Sequence, residues 1–366
     1  MSSFVSPMDL VSHALLGAAS GYAVDRGRAR VTLLAGAAAA LLPDIDVLIS
    51  SDVDPLLSLE FHRHFTHSFV AAPFGAALVA GVLWLAFKGK QTFRPLFIAA
   101  LAGYLSAILL DACTSYGTQL LWPFSDRRYA ASIVAVVDPI VTLILLAGVI
   151  VAFRRSSARA AAATVALAVA YLGFGWIQRE RAEGVIERTA AARGHEVSRY
   201  EVKPTMGNLL VWRCVYRSGN DYVVDAARVG FFSKPLLYTG GTARAVAPVD
   251  VVPPLTPNSV QAADVVRFGK VSNGWLARHP SRPNVIGDIR YSMLPDDTRP
   301  LWAIEIFPDR EDHHVSFHTF REWTGPNRAR FVAMLRGVEP SSLARGQNEK
   351  QDKKGRKGEK QGRKVE

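Results

Sequence analysis

The feature that most constrains this chain is a series of apolar segments, almost all of which lie before residue 178. Each is close to the roughly 20 residues that an α-helix needs to cross the hydrocarbon core of a bilayer, and most carry few or no charges. The uninterrupted segments are 69–87, 96–110, 133–153 and 160–177, and two shorter or interrupted ones are 10–24 and 31–49. We therefore predict an α-helical polytopic membrane domain of about five to six helices over residues 1–178.

Composition supports this prediction. Hydrophobic residues make up 49% of the chain, charged residues only 20%, and the mean hydropathy is +0.12. That balance is too apolar for a disordered chain and high for a wholly soluble one. Small residues crowd the apolar segments at positions 17–21, 36–40 and 75–77, which predicts close packing of helices in lipid.

The basic residues of the short loops predict how the helices are oriented, because cytoplasmic loops carry the excess of Lys and Arg. Three basic clusters alternate with three other connections, at residues 50–68, at 114–132 and after residue 178. This topology places those connections, and the whole second half, outside the cytoplasm. The clusters are Arg26, Arg28 and Arg30; Lys88, Lys90 and Arg94; and Arg154, Arg155 and Arg159.

Beyond residue 178 the sequence becomes more polar, and period-two alternation predicts strands. These strands are expected at 209–216, 222–232, 286–293, 301–307 and 314–320, after a helix at 179–193 and with a proline-rich break at 249–257. We predict a β-rich soluble domain over residues 179–340. The tail, 341–366, lacks aromatic residues and supplies +5 of the formal charge of +11 from position 345 on, so we expect it to be disordered and to bind no specific nucleic acid.

Two cysteines, Cys113 and Cys214, are too few for a thiolate zinc site, so any metal must be held by histidine and carboxylate side chains. Such side chains are concentrated in three blocks: 42–46 and 110–117, which each close an apolar segment, and 62–68, which comes just before one. His13 lies near the start of another. On the predicted topology all four lie at one end of the bundle, where facing helices can assemble a metal site. Nitrogen and oxygen donors suit zinc, manganese or iron.

Spacing within the blocks leaves several assignments open. Asp44 and Asp46 are two residues apart, so on a helix they do not share a face; one could bind metal while the other orients a ligand or holds a second ion. The carboxylate of this pair that is less committed to metal could accept a proton from water. His62 and His67 suit a turn, whereas His64 and His67 suit a helix, so spacing does not decide between His62 and His64.

Other polar residues have competing interpretations. Arg127 and Arg128 could bind an anionic group of a substrate, such as phosphate, or anchor the chain at lipid headgroups. Asp138 could be a further ligand, a partner of one of these arginines, or the carboxylate that begins a helix before a proline. We interpret His314 and His318 as polar residues on the surface of a strand.

The blocks, in this order, resemble the membrane-bound, metal-dependent hydrolases of the YdjM/YbcI type, a group of bacterial inner-membrane proteins. The resemblance rests on residues 8–13, 43–46, 62–68, 110–117 and 123–128, and it covers about residues 8–155. It implies a helical membrane domain, a divalent metal and hydrolytic activity, with Arg63 and Thr66 as supporting residues. The metal ligands that it implies are His13, Asp44, Asp46, His62, His67 and Asp111.

We therefore expect a metal-dependent hydrolase, multi-pass in the inner membrane, that acts at the outer surface of that membrane on a phosphoester or lipid-like substrate. The expected cofactor is a divalent metal, zinc or else manganese or iron, and the expected catalytic residues are Asp46, Arg63 and Thr66. Membrane lipids are the expected partners. Two alternatives are an ion or proton transporter, since intramembrane Asp and His residues mark proton relays, and a non-catalytic anchor whose β-rich domain binds a protein.

Overall fold

The structure is a computed structural model that describes residues 7–24, 29–247, 255–339 and 341. Three predictions concern residues outside this part of the chain. They are the disorder of the basic tail from residue 342 onward, the loop position of Arg26 and Arg28, and the proline-rich break at 249–257 as far as residue 254.

The N-terminal half is helical, and each long helix coincides with a predicted apolar segment. The helices are α1 (Pro7–Val24), α2 (Ala29–Leu41), the short α3 (Leu57–Phe61), α4 (Ala71–Ala86), α5 (Phe93–Cys113), α6 (Pro139–Arg154) and α7 (Ala158–Ala192). The segment at 133–153 becomes helical only from Pro139, because Asp138 caps α6 by accepting hydrogen bonds from the N–H groups of Ile140 and Val141.

By length and composition, three described stretches can cross a membrane: Arg30–Leu48, Phe93–Cys113 and Ala158–Ala192. A fourth span is possible if Leu57–His67 and Ala71–Ala86, which meet at a bend of 77°, act as one broken span. The apolar helices Leu10–Val24 and Pro139–Arg154 are shorter. The helical, membrane-type character of this half is confirmed, whereas the predicted count of five to six membrane helices is not.

Glycines allow α1, α2 and α5 to approach one another with backbone against backbone. A Cβ atom added to Gly36 would collide with the carbonyl oxygen of Gly17, and one added to Gly103 would collide with that of Gly36. Only glycine permits this separation, as the small residues of the sequence predicted. Helix α1 carries His13, α2 leads to Asp44 and α5 carries Asp111. These three helices are therefore packed at their closest possible distance.

The second half is β-rich, as predicted, and consists of two four-stranded antiparallel sheets in which every strand pairs with its neighbour in sequence. The first contains β1 (Arg199–Pro204), β2 (Val211–Ser218), β3 (Asp221–Arg228) and β4 (Leu236–Arg244). The second follows helix α8 (Val260–Val271) and contains β5 (Leu276–His279), β6 (Arg282–Asp288), β7 (Trp302–Glu305) and β8 (Ser316–Thr319). Helix α9 (Gly325–Arg336) ends this half.

The two halves share a core and several polar contacts. Leu56 and Leu59, from the connection before α4, are buried in one cluster with Val265 and Phe268 of α8. Helix α7 continues past residue 178, and Gln178 donates hydrogen bonds to the carbonyl groups of Leu209 and Val229, which flank strands β2 and β3 of the first sheet. The β-rich half is therefore attached at the end of the bundle where the histidine-containing turn lies.

Candidate metal centre

The aspartates of block 42–46 are presented by a 3₁₀ helix, Pro43–Leu48, that follows α2. Pro43 cannot donate the hydrogen bond of a continuing α-helix, and the chain tightens there. Asp44 and Asp46 are both buried, whereas Leu48 is 74% exposed. Although they are two residues apart, both carboxylates thus face the bundle interior.

His13 of α1 lies between two of the aspartates. Its Nδ1 is 3.2 Å from Oδ2 of Asp44, and its Nε2 is 3.2 Å from Oδ1 of Asp111, in the last turn of α5. Asp111 is fully buried and His13 is only 1% exposed. These three residues offer ligand atoms within 4.8 Å of one another, close enough to share one cation.

His67 joins this group to Asp46. Its Nε2 lies 3.1 Å from Oδ2 of Asp111 and 3.5 Å from Oδ1 of Asp44, while its Nδ1 lies 3.3 Å from Oδ2 of Asp46. The ring is fully buried. One imidazole therefore contacts three carboxylates that come from two separate segments of the chain.

Arg63 links the blocks through both its backbone and its side chain. Its φ angle is +58°, a left-handed conformation that non-glycine residues adopt rarely, and its N–H donates to Oδ2 of Asp46 at 2.7 Å. The buried guanidinium places Nη2 2.7 Å from Oδ1 of Asp111 and donates from Nη1 to Oγ1 of Thr114 at 2.6 Å. The left-handed conformation thus allows Arg63 to contact Asp46 through its backbone and Asp111 through its side chain.

The structure separates His62 from His64. Nδ1 of His62 lies 3.4 Å from Oδ1 of Asp46, at the edge of the centre. His64 instead packs among the aromatic rings of Phe61, Phe65 and Trp122. A turn containing the 3₁₀ helix Phe65–His67, rather than a regular helix, produces this arrangement.

Hydroxyl groups hold the turn in place. Oγ1 of Thr66 lies 3.1 Å from Nδ1 of His67 and donates to Oδ2 of Asp46 at 3.5 Å. The hydroxyl of Tyr104, on α5, donates to the backbone carbonyl of Thr66 at 2.5 Å. Thr114 donates to the carbonyl oxygen of Asp111 at 2.7 Å.

Tyr116 was not assigned a role from the sequence, although it lies in block 110–117. Its ring contacts that of His62 with centroids 5.0 Å apart, and the guanidinium of Arg63 lies 5.7 Å from its centroid. Burial raises the pKa of Tyr116 to about 12, so its neutral hydroxyl donates to the carbonyl of Leu59. An aromatic residue five positions after a proposed ligand was the available signal.

The two arginines after the third block are placed differently. Arg128 donates to the carbonyl groups of Glu60, His62 and Gly117, so its guanidinium holds the backbone around the centre. Arg127 is exposed and lies 5.2 Å from the ring centroid of Tyr129.

Asp138 lies apart from the histidines and acts as a helix cap. Besides its contacts with the first N–H groups of α6, its Oδ2 accepts a hydrogen bond of 2.8 Å from the hydroxyl of Tyr171. Of the three interpretations of this residue, the structure therefore favours the carboxylate that begins a helix.

The donor set suits a divalent cation. Oδ2 of Asp111 and Nε2 of His67 are buried and face each other, yet neither atom makes a hydrogen bond with any described residue. Buried polar atoms without hydrogen bonds are costly, and a cation between them would satisfy both. Imidazole and carboxylate ligands without thiolate match those of catalytic zinc, manganese or iron sites.

A second group, Asp54, Asp264 and His314, also brings its ligand atoms within 4.8 Å. Here Arg267 already donates to Asp264 at 2.9 Å and to Asp54 at 2.8 Å, so a guanidinium compensates the carboxylates. His314 lies 2.9 Å from Asp264, so it is partly buried in an ion-pair network between the two halves, where we had expected a surface residue.

Comparison with known proteins shows a family that the helical half is similar to. Residues 8–182 match the YdjM inner membrane protein family. The "Uncharacterized protein YfhP" of Bacillus subtilis (strain 168) is 27% identical over 158 residues, which cover 41% of this chain and 48% of the relative. The "Inner membrane protein YbcI" of Escherichia coli (strain K12) is 37% identical over 107 residues, which cover 27% of this chain and 57% of the relative.

The chain thus spans about half the length of each of these relatives. No solved structure matches it. The resemblance inferred from the motifs is confirmed for the helical half, and with the apolar helices it indicates a membrane location.

Proposed function

Because residues 8–182 match the YdjM inner membrane protein family, we propose that this chain is a membrane-bound, metal-dependent hydrolase. The observation that carries the proposal is the position of His67, whose Nε2 is within 3.5 Å of carboxylate oxygens of Asp44 and Asp111. For stability alone, apolar side chains would serve as well as or better than these buried histidines and aspartates. Their convergence therefore points to a function.

Four side chains would hold the ion, and Asp46 would act beside them. Oδ2 of Asp46 accepts the N–H of Arg63 and faces Nδ1 of His67, the arrangement by which an outer carboxylate fixes a metal-binding histidine. Zinc is the first candidate, with manganese or iron as alternatives. The proposed ligands are His13, Asp44, His67 and Asp111.

When bound, the cation would supply Lewis acidity that makes a water acidic and stabilises negative charge on the attacked group. Side chains of the protein would transfer the proton of the attacking water. Asp46 and His62, 3.4 Å apart, form a pair at the edge of the centre that can accept a proton from the attacking water and return it to the leaving oxygen. Arg63 would hold Asp111 in place, and Thr66 would hold the ring of His67.

The substrate proposed is an amphiphile with an ester bond, such as a phosphoester of a lipid. Large apolar side chains are exposed on the segments that carry the centre, among them Leu48 at 74% and Phe124 at 85%. They allow an apolar chain to approach from the bilayer, while the exposed Arg127 could meet an anionic group. Arg128, whose donors contact backbone carbonyls, would contribute by holding the turn.

We also propose that the centre and the β-rich half lie outside the cytoplasm. Among the described residues, Lys88, Lys90, Arg94, Arg154, Arg155 and Arg159 all lie at the opposite ends of α4 to α7, as expected for cytoplasmic loops. The described His and Asp residues cluster at one end of the bundle rather than along it, which favours a hydrolase over a transporter.

The test is metal content per chain in the purified protein, followed by a screen of phosphoesters and lipid esters with the same samples. We expect stoichiometric divalent metal in the wild type, and its loss together with any hydrolysis in His67→Ala and Asp111→Ala. His64→Ala is the matched control, because that ring lies in the same turn but outside the centre. Metal retained in both variants, or lost equally in the control, would contradict the proposal.

A further inference from the structure

The connection between β3 and β4 exposes two consecutive phenylalanines. In this apolar loop, residues 230–235, Phe231 is 56% exposed and Phe232 is fully exposed. Neither ring is needed to complete a core of the β-rich half, and burying large apolar side chains is favourable. The loop is therefore a candidate contact surface.

The apolar loop lies beside α7 at the level where this helix emerges from its apolar stretch. Gln178 of α7 donates to the carbonyl of Val229, which fixes the end of β3 at that level. Two residues later, the ring of Phe231 lies 5.5 Å from that of Phe174. Phe174 is four residues before Gln178, which on an α-helix is about 6 Å nearer the apolar stretch of α7. The chain thus turns back toward the membrane after leaving the sheet.

The connection between β1 and β2 of the same sheet contacts the helical bundle next to α6. The N–H of Gly207 donates to the carbonyl of Val137 at 2.9 Å, just before α6 begins. The preceding residue, Met206, is 71% exposed. Two connections of one sheet therefore present apolar side chains where α6 and α7 leave the bundle.

The surroundings of α7 at this level are suited to lipid. Only 22% of the most apolar 18-residue stretch of α7 is buried inside the structure. Trp176 is 49% exposed, and Arg179 lies 5.8 Å from its ring centroid. Exposed tryptophan beside a basic residue is typical of the boundary between headgroups and acyl chains. Lys234, exposed in the apolar loop, could reach headgroup phosphates while the phenylalanines lie deeper.

We propose that Phe231, Phe232 and Met206 insert into the membrane leaflet in which α6 begins and from which α7 emerges, so that the β-rich half is seated on the bilayer. The occupant of this surface is the lipid itself, at the boundary of headgroups and acyl chains. The proposal does not depend on the hydrolase activity.

The test uses the full chain in nanodiscs of phosphatidylcholine and phosphatidylglycerol, with an environment-sensitive fluorophore on Phe232→Cys. Phe232 is fully exposed, so its replacement leaves the fold intact. Cys113 is half-buried and Cys214 is buried, and burial raises the pKa of the Cys214 thiol. The unsubstituted protein, carried through the same labelling, therefore gives the background from both cysteines. We expect blue-shifted emission that is lost when the acyl chains carry bromine.

Asn220→Cys is the matched control. Asn220 is exposed in the turn at the other end of the β2–β3 hairpin, about 26 Å away for strands of eight residues. Its label should stay in water, with emission that bromine leaves unchanged, whereas a label on Met206→Cys should behave like that on Phe232→Cys. Equal emission from positions 232 and 220 would overturn the proposal. Shielding at position 232 without quenching would also overturn it, because a protein would then cover the loop.

Discussion

Arg63 and Asp111 form an ion pair inside the helical bundle, with Nη2 and Oδ1 separated by 2.7 Å. Neither side chain is more than 2% exposed. Arginine is always charged, so this one guanidinium compensates part of the negative charge of three buried aspartates, the other two being Asp44 and Asp46. The remaining charge is what a divalent cation would neutralise.

Replacing Arg63 tests this charge balance. Arg63→Met leaves the buried carboxylates without their permanent cation, and breaking a buried pair in this way costs about 3–5 kcal/mol. We expect thermal unfolding of the metal-free protein in detergent to shift to a lower temperature, and added zinc to restore more stability than it adds to the wild type.

The control for this measurement is Arg127→Met, which removes an equal charge from an exposed position and should leave the unfolding temperature unchanged. The charge argument fails if zinc stabilises Arg63→Met no more than it stabilises the wild type.

Asp46→Asn separates a role in orienting His67 from a role as ligand. If Asp46 fixes His67 from outside the metal shell, the variant should bind one equivalent of metal with affinity about 10–100-fold weaker. Competition with a chromogenic chelator measures this affinity. A variant that holds no metal at all, like Asp111→Ala, would show instead that Asp46 is a ligand, as the motif alone implied.

Lys203 tests how firmly the β-rich half holds the centre. It is only 4% exposed, and its Nζ donates to the carbonyl of Ser115, four residues after Asp111, at 2.9 Å. Lys203→Met should lower the stability to unfolding by about 1–3 kcal/mol, because a buried charged donor to this carbonyl is lost. Lys270→Met, at an exposed position of α8, should have no measurable effect on denaturant unfolding.

Acid should weaken the contact between the halves. Burial raises the pKa of Asp54, but hydrogen bonds from Arg267 and from the N–H of Leu56 outweigh it and hold the pKa below its usual value. Because the pKa is lower in the folded state, Asp54 stabilises the fold at a pH above its pKa in the unfolded chain, about 3.9. This stabilisation is lost as the pH falls through the pKa of the folded state. Limited proteolysis between the halves should therefore accelerate below about pH 4. The Asp54→Asn variant should be cleaved at a rate that changes less with pH.

Much of the helical half could be predicted from the sequence because lipid imposes a simple rule on length and hydropathy. The apolar segments matched helices, and the glycines matched close approaches. The predicted count of five to six spans is not confirmed, because apolar helices such as Pro139–Arg154 are shorter than the helices that can cross a membrane by length and composition. In the β-rich half, strand β4 escaped prediction because Gly240 and Gly241 interrupt its alternation.

The candidate site could be predicted as a set of residues but not as an arrangement. Spacing could not choose between His62 and His64, since the choice depends on the left-handed conformation of Arg63, which no local propensity predicts for arginine. Likewise, the donors of Arg128 are directed to carbonyls of residues far away in sequence. Tertiary contacts, rather than local pattern, decide both cases.

The glycine contacts among α1, α2 and α5 bear on which ions could bind. Helices whose backbones already touch cannot slide together or rotate without a clash, so the ligand-bearing ends of these three helices stay at a fixed separation. For the cation proposed above, such a frame would discriminate by ionic radius, since it cannot contract around a small ion or widen for a large one. Gly36→Ala would make a Cβ atom collide with the carbonyl oxygen of Gly17, so it would force α1 and α2 apart and move their ligand-bearing ends with them.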